Sequence, residues 1–61
     1  VSFPDLAKRL NSVGQVSFND YMLRFRVDSY ELTVFPDGRT IVKGTTDEAL
    51  ARSLYARYVG L

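Results

Sequence analysis

The stretch Glu31–Glu48, ELTVFPDGRTIVKGTTDE, constrains this chain most, because it contains two strands, the turn between them and a helix start in continuous order. Glu31–Phe35 and Thr40–Lys43 are rich in β-branched and aromatic residues and read as short strands flanking Pro36-Asp37-Gly38. Proline presets φ at the first central position of a tight turn, Asp37 bonds locally to the backbone, and Gly38 takes the left-handed conformation. A two-residue Asp37-Gly38 loop pairs Val34 with Ile41. A type I turn with a bulge at Gly38 instead pairs Leu32 with Val42 and sets Ile41 beside Thr33; proline favours this second form. Leu32, Val34 and Val42 then face the helices, with Phe35 and Ile41 on the other face. Gly44 ends the second strand, and Thr45-Thr46-Asp47-Glu48 matches a capping box in which Thr45 and Glu48 satisfy each other's amides.

The rest of the chain must cover this hairpin. Upstream, Ser2 suits an N-cap, Pro4 the first helical turn and Asp5 the positive helix end, and Leu6, Leu10 and Val13 form an apolar stripe. The spacing predicts a helix over about Phe3–Ser12, with Gly14 just past its end. Gln15–Val27 alternates with period two: Val16 and Phe18, then Tyr21, Leu23, Phe25 and Val27, with Asn19-Asp20 as a bend or bulge. It reads as one strand, joined to the next by a tight Asp28-Ser29 connection. A second helix runs from about Thr46 to Tyr58, with Leu50, Leu54 and Tyr58, beside Ala51 and Tyr55, as its core stripe. Arg52 and Arg57 flank that stripe, and Gly60 is the stop, followed by Leu61. The expected architecture is α+β: a two-layer sandwich in which two helices cover one face of a three-stranded antiparallel meander, in the order α-β-β-β-α.

Sixty-one residues make a single small domain, near the lower limit for a chain without disulfides or metal, so the core must be efficient. With no cysteine and no histidine, a disulfide scaffold, a thiolate zinc site and the commonest general base are all excluded. No apolar run approaches the ~20 residues of a membrane span, and no secretory signal is visible, so the expected location is cytoplasmic. A net charge of +1 lies far from the basic footprint of a nucleic-acid-binding domain, and neither a membrane nor a nucleic acid is the expected partner.

Among the carboxylates, Asp28 and Asp37 fall in turns, Asp47 and Glu48 in a helix first turn, and Asp20 at a bend, so each has a structural explanation. The run Gly38–Thr45 shares letters with a phosphate loop, but Lys43 precedes Gly44, the Gly-Lys-Ser/Thr order is broken, and the segment reads as strand. No catalytic, cofactor-binding or metal-binding residue follows from these patterns. One constellation remains. Met22, Phe35 and Ile41 fall on the uncovered sheet face among Arg24, Arg26, Arg39 and Lys43, an apolar centre rimmed by positive charge that suits docking of a protein with an acidic rim. The plainer reading is that arginine stems shield a few exposed apolar groups.

The run Tyr30–Thr45, YELTVFPDGRTIVKGT, followed by Asp47 and by Ala51–Gly60, ARSLYARYVG, resembles the C-terminal end of bacterial ThiF/MoeB/HesA proteins, and Asn19–Val27 is similar to theirs too. These are adenylyltransferases related to ubiquitin-activating enzymes. The resemblance implies a parent chain that activates the C-terminal Gly-Gly carboxylate of a ubiquitin-like sulfur carrier with ATP, in thiamine or molybdopterin biosynthesis. ATP, magnesium and, by the same resemblance, zinc belong to that parent. The Gly-rich nucleotide loop, the magnesium aspartate in its domain context and the zinc cysteine pairs are missing here, so no catalytic residue carries over. The chain begins near a helix cap and ends one residue past a helix stop, which fits a C-terminal accessory domain cut from a longer chain. Its expected role is interaction: docking the carrier, packing on the catalytic domain, or supporting a homodimer. A small-ligand sensor or an RNA-binding module is the alternative.

Overall fold

Ser2 opens the first helix of the computed structural model, which describes residues 2–60. Val1 and Leu61 lie outside the described residues. The Ser2 Oγ accepts the Asp5 N–H at 3.5 Å, and α1 (Phe3–Leu10) follows. Its buried side chains are Phe3, Leu6, Ala7 and Leu10, spaced as one helical stripe that includes Phe3 and Ala7. Val13, expected on that stripe, is 54% exposed. The helix has ended by then, and Val13 and Gly14 direct their N–H groups back to the Leu10 carbonyl in a terminal turn.

Gly14 allows a close approach rather than a left-handed turn. A Cβ there would overlap the Arg26 carbonyl oxygen and lie 2.8 Å from the Phe25 ring. Absence of a side chain thus lets the chain leave α1 directly into the sheet.

The segment expected as one strand is two. β1 (Gln15–Phe18) and β2 (Leu23–Val27) form an antiparallel hairpin. Asn19 makes the difference. Its Oδ1 accepts the N–H groups of Tyr21 and Met22 at 2.7 and 3.0 Å, and its own N–H donates to the Met22 carbonyl. The side chain thus substitutes for a backbone acceptor and reverses the chain where a bend or bulge was expected. Tyr21, expected to alternate inward with Leu23, sits in this turn at 75% exposure.

Asp28, with φ 54°, and Ser29 connect β2 to β3 (Tyr30–Val34), and β4 (Thr40–Lys43) completes the sheet in the order β1-β2-β3-β4. The β3–β4 register is the bulged one: Leu32 opposes Val42 and Thr33 opposes Ile41. The Phe35 N–H donates to the Arg39 carbonyl, the Gly38 N–H to the Phe35 carbonyl, and Gly38 has φ 95°.

Thr45 does not cap the second helix. Its Oγ1 accepts the Asp47 N–H, and the Asp47 Oδ1 in turn accepts from Ala49 and Leu50 at 2.9 and 3.2 Å, so α2 is Glu48–Tyr58. Asp47 supplies its acceptor two and three residues ahead, the N-cap geometry, and the capping-box reciprocity with Glu48 is not used. The positive φ of Gly60 then closes the helix, whose Val59 and Gly60 N–H groups both reach the Tyr55 carbonyl.

Both helices lie on one sheet face, as expected for the two-layer sandwich. Leu23, Phe25, Leu32 and Val34 point to that side and are wholly buried with the α1 stripe, Leu54 and Val59. Each large side chain so buried contributes about 1.5–3 kcal/mol. Tyr58 packs on Phe25 with ring centroids 5.1 Å apart. Arg9 joins the helices directly: its guanidinium donates to the carbonyls of Tyr58 and Val59 at 2.8 and 2.9 Å.

Candidate functional site

The alternation that buries Leu23, Phe25, Leu32 and Val34 sends their neighbours to the opposite, uncovered face. The register arranges these neighbours in cross-strand rows. Gln15, Arg26, Glu31 and Lys43 form one row; Ser17, Arg24, Thr33 and Ile41 form the next. Met22 and Phe35 follow, each one residue beyond the Leu23–Val34 pair, and Arg39 faces Phe35 across the bulged turn. The structure therefore brings Met22, Arg24, Arg26, Phe35, Arg39, Ile41 and Lys43 onto one face.

Their environments differ. Ile41 is 50% exposed, whereas Met22 and Phe35 are half-buried. The Arg39 guanidinium lies 5.1 Å from the Phe35 ring centroid, and its Nε is 3.1 Å from the Asp37 Oδ2. The cation thus covers one face of the ring while held by the turn carboxylate. The Arg39 backbone N–H, which donates to the Asp37 Oδ1 at 3.0 Å, holds the Asp37 carboxyl below its ordinary value, and the Arg39 guanidinium adds to the effect. Arg24 lies 3.9 Å from the Glu31 Oε1, while Arg26 and Lys43 make no ion pair among the described residues.

Glu31 is the residue that the sequence reading left off this face. It sits in the row between Arg26 and Lys43 and beside Arg24, so the positive charge surrounds a carboxylate. Its alternation with Leu32 carried the signal. Also unanticipated is an apolar cleft of about 570 Å³ between β4 and α2, lined by Thr40, Val42, Ala51, Arg52 and Tyr55, with Gly38 at one end.

The carboxylates do not gather. Among the described residues, no three Asp or Glu side chains come together in a metal-holding group. Asp37 and Asp47 are engaged by their own turn and helix start. No helix among the described residues is long and apolar enough to cross a membrane.

Comparison with known proteins adds a relative. Over 56 residues, 90% of this chain, the sequence is 38% identical to a sulfur carrier protein ThiS adenylyltransferase of Bacillus subtilis (strain 168). The resemblance to the ThiF/MoeB/HesA family holds. The chain spans 17% of the length of that adenylyltransferase. No family model and no solved structure matches the chain. The likeness to a ThiF/MoeB/HesA protein therefore rests on sequence, and the fold described above is what that sequence forms.

Proposed function

We propose that this chain is the non-catalytic, C-terminal accessory domain of a cytoplasmic, ATP-dependent adenylyltransferase that activates a ubiquitin-like sulfur carrier. The supporting observation is the 38% identity over 90% of the chain to a ThiS adenylyltransferase. A thiamine-pathway parent follows from that relative's name, with molybdopterin biosynthesis as the other member of the pair. In this reading ATP, magnesium and zinc belong to the parent, as the resemblance implies.

The uncovered sheet face is the contact surface in this reading. Phe35 and Ile41 supply the apolar centre, and Arg24, Arg26, Arg39 and Lys43 complement an acidic rim on the carrier or on the catalytic domain. An amide-resolved NMR titration of the 61-residue chain with each partner tests it. Shifts are expected in β2 and β4 and at Phe35. The double substitution Phe35→Ala and Arg26→Glu is expected to weaken binding at least tenfold while leaving the spectrum that of a folded chain. Binding unchanged by the double substitution rejects this face. Absence of shifts with both partners rejects the docking role.

A further inference from the structure

We infer that the outer edge of β4, with the cleft between β4 and α2, is a second binding site, for an extended peptide of alternating acidic and apolar residues. The site adjoins the flat sheet face, sharing its β4 border of Arg39, Ile41 and Lys43, and its ligand adds to the sheet as a fifth strand.

The backbone sets the site. β4 ends the sheet order and is hydrogen-bonded on one side only. Because Phe35 donates to the Arg39 carbonyl, the alternation of an antiparallel ladder makes Thr33–Ile41 and Glu31–Lys43 the bonded pairs further along. Thr40 and Val42 must then direct their N–H and C=O groups away from the sheet. No described residue pairs with that edge.

The side chains set what fits. Thr40 and Val42 line the cleft whose far wall is Ala51, Arg52 and Tyr55 of α2, so alternate residues of an added strand enter an apolar slot. The residues between them emerge on the uncovered face next to Arg39, Ile41 and Lys43, where acidic side chains meet cations. Lys43 makes no ion pair among the described residues and is free to take them. Alternation of apolar and acidic residues is thereby dictated by the pleat. A second copy of this chain is the poorer occupant. The two-fold pairing that uses all the outward groups of Thr40 and Val42 is centred on Ile41 and sets Arg39 of each copy opposite Lys43 of the other.

The test is a titration of the labelled chain with the acetylated, amidated pentapeptide Glu-Val-Glu-Val-Glu, with its Lys-Val-Lys-Val-Lys counterpart, and with the acidic peptide N-methylated at both valines. The acidic peptide is expected to shift the amides of Thr40 and Val42 and to slow their hydrogen exchange. At least tenfold weaker binding is expected for the lysine peptide and for the N-methylated one. Ala51→Phe, which fills the cleft, is expected to weaken the acidic peptide tenfold, whereas Met22→Ala, beside β2 and across the sheet from β4, leaves it unchanged. No shift at Thr40 and Val42 at millimolar peptide overturns the inference, as does equal binding of the N-methylated peptide. Self-association of the free chain through these same amides overturns it in favour of a second copy, and tighter binding of an oligonucleotide there in favour of a nucleic acid.

Discussion

Gly14 shows how much one missing side chain decides. The chain passes so close to β2 at this point that a methyl group collides with the Arg26 carbonyl and the Phe25 ring, and neither is a flexible tip that can turn aside. Phe25 is wholly buried, so the strain spreads into the core. Gly14→Ala is therefore expected to cost about 1–3 kcal/mol, read as a lower urea midpoint at unchanged slope. Gly60→Ala probes a different mechanism: a Cβ there meets the Ala56 carbonyl at 3.4 Å, and its positive φ of 66° is the main obstacle. From sequence, the two glycines look alike, each just past a helix stripe. The distinction depends on which strand lies opposite, a tertiary fact that no local pattern carries.

At the scale of the element, the β3–β4 hairpin was the most legible part of the chain, because its turn residues are chemically specific. Pro36 and Gly38 each exclude most turn types, and together they select the bulge that sets Leu32 against Val42. The same register puts Ile41 beside Thr33 on the uncovered face, as the turn residues predict. The β1–β2 hairpin was not legible, since Asn19 reads as a bend or a bulge within one strand until its Oδ1 finds two N–H groups. The start of α2 failed for a related reason: Thr45 and Asp47 are both good caps, and the chain uses the one nearer the helix. The candidate surface was legible because it follows from strand parity once the bulged turn fixes the register of Ile41. The β4–α2 cleft was not, as it needs the position of α2 over the sheet.

The hairpin turn also has an acid limit. Because the folded-state Asp37 carboxyl titrates below its ordinary value of 3.8, its stabilising contribution is complete above that value and is lost as pH falls through the lower folded one. Thermal melts between about pH 2 and pH 6 are expected to show an acid loss that Asp37→Asn reduces. The substitution removes the charge but retains an oxygen for the Arg39 N–H.

At the scale of the molecule, two helices of unequal commitment share one sheet face. α1 buries Phe3, Leu6, Ala7 and Leu10, whereas α2 itself buries only Leu54 among the described residues. Arg9 offsets this imbalance by holding the last carbonyls of α2, where its charge also opposes the negative helix end. Arg9→Ala is expected to lower stability by about 1 kcal/mol and to raise hydrogen exchange in the final turn of α2 first, with α1 less affected. Exchange that rises uniformly along the chain would contradict that account.

The same bond orders events during synthesis. Arg9 and the Tyr58 carbonyl are 49 positions apart, so at ribosomal rates of about 5–20 residues per second, Arg9 emerges roughly 2–10 s before its partner. By the last part of that interval, the nascent chain carries α1 and the four strands, with Phe25 still lacking the Tyr58 ring that later packs against it. α2 arrives as the closing layer, and the newborn sheet depends on α1 alone, or on a chaperone, to shield its apolar side until then.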